Sequence, residues 1–396
     1  MARPRLDQVD AMRPIKQAGV IATHVILYLP LAAASISAGA ALLLLHVSRE
    51  GFFFISACML TYAYAGLNRA GLPRFYWRRF VAVGIPYLCW NLIYFAYGLR
   101  NWRYPSFGAE LHGFLRVLST GYYQLYFLLV IMEFYLVFPL VLVALRRTRG
   151  HHGLVLAATA AAQLAISIAT HWHLLPAPMM RYAQEDALSY VLYLMGGAVV
   201  AWHLEQVHDW LVRNVQLVLF LTLAAAIAAE GVYFLALDGV SSALGGGSDP
   251  FQPSVIPFNV GAIACGYLAG VALVRPWRAK RTRAAVRVGS DNAYGIYLTQ
   301  MLFITVLTSL GWARVGSRVP WPLFCAVTVA IVFACGLALT GLLARTPLAV
   351  PLTGRSRQPW RTLLPRRPGP RAAGAEQAPA RESTALAGTA SDQNGA

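Results

Sequence analysis

Long apolar runs separated by short polar and basic stretches dominate this chain. A helix that crosses the hydrocarbon core of a bilayer needs about 20 predominantly apolar residues. Ten runs approach that length, at roughly residues 15–34, 51–68, 80–98, 123–145, 153–170, 187–203, 214–236, 256–274, 291–311 and 321–344. The pattern predicts an all-α, polytopic integral membrane protein with about ten transmembrane helices within residues 1–350. The stretch LAAASISAGAALLLLHVSRE (31–50) is compatible with extending the first span, starting the second, or forming a re-entrant piece. Segment 237–255, LDGVSSALGGGSDPFQPSV, is rich in Gly, Ser and Pro and reads as an exposed loop. Its GGGS lacks the lysine of a phosphate-binding loop. Residues 351–396 turn rich in Pro, Arg, Ala and Ser and predict a disordered cytoplasmic tail, too short for a second catalytic domain. No internal repeat is visible. The polar, basic N-terminus and the lack of a small-residue cleavage site argue against a cleavable signal peptide.

Composition agrees with the pattern. The chain is 58% hydrophobic and 12% charged, with a mean hydropathy of +0.53, whereas soluble domains average about 25% charged residues. A net charge of +17 raises the question of nucleic acid. The basic residues instead fall in clusters between apolar runs and in the tail, as the positive-inside rule requires. With a cytoplasmic N-terminus, 26 of the 33 basic residues lie on the cytoplasmic side. That asymmetry predicts both termini in the cytoplasm and a multi-pass protein of the cell membrane. The five cysteines lie in apolar runs without CxxC spacing, so neither a disulfide framework nor a metal site is expected.

Some polar residues interrupt the apolar runs and need a reason to be there. In MRPIKQAGVIATHVILYLP (12–30), Arg13 and His24 are eleven residues apart. On a helix they differ by about 20° and share a face, about 16 Å apart along the axis. Gln17 lies on nearly the same face. This describes a lined passage from a cation at the cytoplasmic edge to an imidazole near mid-membrane. Taken singly, Arg13 also fits a topology anchor and His24 a hydrogen-bonded packing residue. Proline favours the first helical position. If the helix starts at Pro14, free backbone N–H groups with Arg13 and Lys16 form an anion site. If it starts near Asp10, only the cations remain.

The Arg, ten residues, His spacing at the start of a polytopic protein resembles the acyltransferase-3 family of integral membrane acyltransferases. REGFFFISACMLTYAY (49–64), FYWRRFVAVGIPYLCWNLIYF (75–95), GYYQLYFLLVIMEFYLVFPL (121–140) and AYGIYLTQMLFI (293–304) resemble further motifs of that family in the same order. The likeness covers roughly residues 5–345. Ala57 stands where the serine motif usually ends in glycine, and Gln124 and Gln300 stand where related members carry histidine. A proton-transfer role therefore does not carry over to those two positions. The resemblance implies transfer of an acyl group, often acetyl, from acyl-CoA to a hydroxyl, without a metal. The acceptor it implies is a cell-envelope glycan or, in some members, a macrolide.

On that reading His24 is the general base, since imidazole titrates near neutral pH. Glu50 is a candidate to orient it, as the carboxylate does in a catalytic triad, or a simple helix-start acid. Arg13, Lys16, Arg78 and Arg79 are the candidates for binding acyl-CoA, with Trp77 or Tyr76 stacking on adenine. The alternative for the α-helical entry at Arg78 is a topology anchor with interfacial aromatics. Ser56 is a candidate oxyanion donor, and Glu133 either an acceptor-binding residue or a structural hydrogen-bonding group. Glu230 raises the same question in a later span. His171 and His173 flank Trp172 and fit an interfacial belt. The rival reading is a secondary transporter or exporter using His24, Glu133 and Glu230, for which broken helices in matching halves would be the signature. A non-catalytic scaffold leaves Arg13 and His24 without purpose.

Overall fold

A computed structural model describes residues 5–29, 31, 35–99, 105–237, 249–275 and 280–359. The described residues are α-helical and contain no strand. The long helices are α1 (Asp7–Tyr28), α2 (Ile36–Leu45), α3 (Val47–Tyr64), α4 (Leu72–Gly98), α5 (Phe107–Thr120), α6 (Tyr126–Arg147) and α7 (His152–His171). After the short α8 (Ala177–Arg181) come α9 (Val191–Trp202), α10 (Leu204–Arg213), α11 (Val215–Leu237), α12 (Val255–Val274) and α13 (Lys280–Ser309). The chain then forms α14 (Ala313–Gly316), α15 (Trp321–Leu343) and α16 (Ala349–Thr353).

Seven of these elements are long and apolar enough to cross a membrane among the described residues, the joined α2–α3 segment counting as one. The bent pair α9–α10, turning by 98°, makes an eighth if read as one broken span. Each of the ten expected runs overlaps a helix, but α1 and α13 fall short on apolarity. Both are helices that polar residues interrupt, Arg13, Lys16, Gln17 and His24 in one and Asp291, Asn292 and Gln300 in the other. Their packing explains how a membrane tolerates them. Helix α1 touches α3, α12, α13 and α15, so its polar face meets protein rather than lipid. The open question at 31–50 resolves into α2 and α3, joined at His46.

Helix α1 begins at Asp7, with Asp7 and Asp10 in its first turn and Pro14 in its interior. The acidic residues suit the positive end of the helix dipole. The backbone anion site that a start at Pro14 would create is therefore not formed. Helices α3 and α9 approach each other tightly at Gly197, where a Cβ would lie 2.3 Å from the Phe54 carbonyl. Small residues at such crossings let backbones approach, the usual basis of helix association in lipid.

The C-terminal stretch expected as tail starts on the bundle. Trp90 Nε1 donates to the Leu352 carbonyl at 3.1 Å, and the Gln358 amide donates to the Ala344 carbonyl at 2.8 Å. Gly354 ends α16 in the left-handed region (φ 67°). The remainder of that expectation, 360–396, lies outside the described residues, as does 238–248 of the Gly-rich loop. At its edge, Asp249 binds His171 Nδ1 at 2.6 Å. A Cβ at Gly354 would stand 2.6 Å from both the Ala82 carbonyl and the Tyr294 ring. Gly354→Ala is expected to cost about 1–3 kcal/mol, read as a lower unfolding temperature in detergent.

Candidate functional site

Helix α1 forms one wall of a cavity of about 640 Å³. Arg13, Thr23, His24 and Tyr28 line it, so it follows the helix for about 22 Å at 1.5 Å per residue. At one end stand Arg13, Ser290, Asp291, Tyr294 and Arg355. At the other, Tyr28 meets Tyr123 edge to face, with ring centroids 5.7 Å apart. Ser56 and Arg49 of α3, Phe127 of α6, and Gln184 and Glu185 of the loop before α9 complete the wall. A volume of this size, with mostly aromatic and apolar walls and a few convergent polar groups, is typical of a small-molecule site.

His24 is held by amides. Its Nδ1 lies 3.2 Å from Gln300 Nε2, and Gln17 Nε2 donates to Gln300 Oε1 at 3.0 Å. Gln17 and Gln300 are both fully buried. The ends of a carboxamide are interchangeable by rotation. With the Gln300 oxygen toward Nδ1–H, Gln300 donates back to the Gln17 oxygen, which is otherwise unpartnered. That arrangement leaves Nε2 with its lone pair.

The other expected residues divide. Arg13 lines the cavity and pairs with Asp10 at 3.0 Å. Lys16 does not line it: only 5% exposed, its side chain lies against Gly51, between α1 and α3. Glu50 is 2% exposed and accepts from Arg49 Nη2 at 2.5 Å and Nε at 3.1 Å. It borders a separate small void with Tyr193 and Asn259. The side chain within hydrogen-bonding reach of His24 is thus the Gln300 amide, and Glu50 is the counter-ion of Arg49. Arg78 is exposed, and Arg79 lies 4.8 Å over the Tyr64 ring. Trp77 is 73% exposed, and Tyr76 donates its hydroxyl to the Leu136 carbonyl. None of these four lines the cavity. Glu133 accepts from the Ala187 amide at 2.8 Å, the structural alternative for that residue.

Arg49, Ser290, Tyr294 and Arg355 line the site without having stood out in the sequence, and Gln300 stood out only as a departure from the histidine of related members. Arg49 is enclosed by Glu50, the Tyr126 hydroxyl at 3.4 Å and the Tyr190 ring at 4.8 Å. Its only signal in the sequence was an arginine directly before the acid at the start of a span. Glu185 lies in the loop outside the spans. Burial, with the Glu133 charge as a smaller cause, raises its carboxyl above the ordinary range.

A protein-family model described as an acyltransferase domain matches residues 6–339. No match was found among curated proteins or among solved structures.

Proposed function

The chain belongs to the acyltransferase-3 family and is a membrane acyltransferase, and from that premise we propose that it moves an acyl group, in the simplest case acetyl, from acyl-CoA to a hydroxyl of a cell-envelope glycan. The observation that carries this reading is that Arg13 and His24 line one cavity, about 16 Å apart along α1.

The donor's phosphates rest at the arginine end, which the positive-inside distribution assigns to the cytoplasm. The thioester reaches His24 along the cavity. The acceptor hydroxyl approaches from the Tyr28 and Tyr123 end, where aromatic rings suit the apolar faces of a sugar. His24 Nε2 takes the hydroxyl proton as the oxygen attacks the thioester carbonyl. The C–S bond then breaks, and the thiolate leaves with a proton as coenzyme A. The Gln300 amide, with its oxygen turned toward the ring, holds the imidazole and its Nδ1 proton in place. Ser56, on the same wall, supplies a hydroxyl for the carbonyl oxygen as it gains charge. Both chain termini lie in the cytoplasm and the membrane is the cell membrane on this reading.

The transporter alternative loses its proposed acidic path. Glu133 is bonded to the Ala187 amide and is not among the cavity-lining residues, and neither is Glu230.

Arg13→Ala separates binding from chemistry. A charge-assisted bond to a phosphate is lost while His24 is untouched. The expected result is a rise of about tenfold in KM for acetyl-CoA with kcat nearly unchanged, measured by thiol release. A fall confined to kcat would remove Arg13 from donor binding.

A further inference from the structure

The arginine end of the cavity is built in part by a segment beyond the region the family model matches. After α15 the chain forms α16 and turns at Gly354, whose backbone packs against the Tyr294 ring. Arg355 follows directly. One of its Nη atoms donates to the Asp291 carbonyl, and the other lies 3.8 Å from the Asp291 carboxylate. The Gln358 amide and the Arg357 guanidinium fasten the segment to the carbonyls of Ala344 and Arg345. The strap thereby sets Arg355 on the cavity wall with Arg13.

Charge at this end does not cancel. Arg5 and Arg13 share Asp10, Arg5 and Arg355 share Asp291, and Arg287 pairs with Asp7. Among the described residues, four arginines therefore meet three aspartates. Arg13 and Arg355 also repel each other. Two hydroxyls of the same wall are buried without a hydrogen-bond partner, Ser290 Oγ and Tyr294 Oη. Ser290 is only 4% exposed. Burying an unpartnered hydroxyl is costly. An excess cation beside two orphaned donors is complementary to an oxyanion with several acceptor oxygens.

We propose that Arg355, Arg13, Ser290 and Tyr294 form a phosphate-recognition site, and that the C-terminal strap is thereby part of the donor-binding machinery. The proposal rests on acyl-CoA as donor and replaces the Arg78 and Arg79 pair as the group that reads its phosphates. A soluble phosphate is the assigned occupant because Arg13 and Ser290 face a cavity. The phosphate of a lipid headgroup offers the same chemistry and is separated by experiment.

The test is equilibrium binding to the purified full chain, comparing wild type with Arg355→Gln and Arg355→Lys. The probes are coenzyme A, pantetheine as its phosphate-free part, inorganic diphosphate, and a soluble short-chain phosphatidic acid. The expected result is coenzyme A affinity weakened about tenfold or more in Arg355→Gln. Pantetheine affinity should not move, and Arg355→Lys should retain part of the loss. Equal coenzyme A affinity in wild type and Arg355→Gln overturns the site. So does a loss that extends to pantetheine, because the strap would then be acting as a structural support only. Displacement of coenzyme A by phosphatidic acid, at lower concentration than by diphosphate, would make a lipid the occupant and overturn the soluble assignment. If diphosphate binds through Arg355 while coenzyme A does not bind at all, the phosphate site stands and the donor reading falls.

Discussion

A His24→Ala chain is expected to fold, bind coenzyme A and transfer acyl groups about a thousandfold more slowly than wild type. The size follows from what this imidazole supplies. The cavity is otherwise lined by aromatic and aliphatic side chains, amides, hydroxyls, arginines and a second imidazole, His46, which stands where α2 meets α3 and not on the face of α1 that carries Arg13. Arginine stays protonated and cannot take a proton near neutral pH. Glu185 and Asp291 are also on the wall, but Asp291 is held by Arg5 and Arg355 at the phosphate end. The loss should appear in kcat, with KM for acetyl-CoA nearly unchanged, because His24 lies about 16 Å along the helix from Arg13. Stability should change little, since the substitution opens space beside an existing cavity. Steady-state kinetics with a thermal melt separates these effects. A variant that keeps its kcat would remove His24 from the chemistry.

The largest expected effect on stability is at Arg49. Its guanidinium is the hydrogen-bonding partner of Glu50, whose Oε2 already lacks a partner. The next cation near Glu50 is Lys16. Arg49→Met leaves a carboxylate buried in the bundle without its main partner, a change that costs about 3–5 kcal/mol. It also removes the cation over the Tyr190 and Phe251 rings. The expected outcome is a protein that unfolds at much lower temperature in detergent or accumulates poorly in the membrane. Arg49→Met combined with Glu50→Gln should recover most of that loss, since no charge is then stranded. Failure of the double substitution to recover would mean that the stability resides in the ring contacts rather than in the ion pair.

The placement of Arg13 and His24 on one cavity was legible because helix geometry alone decides which residues eleven apart share a face. The helical spans were legible because apolar length is a local property. What escaped was decided by tertiary contact. Helix α1 starts at Asp7, where Arg5 and Arg13 hold Asp10 and Arg287 pairs with Asp7, contacts that no apolar count registers. Glu50 looked like a partner for His24 because both are ionisable groups in spans, yet its own neighbour Arg49 takes it. Gln300 was set aside for lacking a proton to exchange, while its amide is what holds the imidazole. Arg355 lay in a stretch whose composition reads as tail. Contacts to Trp90 on α4, Asp291 on α13 and Ala344 at the end of α15 fix that stretch to the bundle, and a reading of composition registers none of them. Arg78 and Arg79, conspicuous as a basic pair, sit at the edge of α4 away from the cavity.

The central claim is that this cavity passes an acyl group from coenzyme A to a hydroxyl with His24 as base. Its most direct test follows the label itself, using acetyl-CoA labelled in the acetyl group, purified wild type beside His24→Ala, and a pool of cell-envelope glycans. The account predicts label in an alkali-labile ester on the glycan, together with stoichiometric free thiol, in the wild-type reaction and essentially none with the variant. Equal labelling by the two proteins would contradict it.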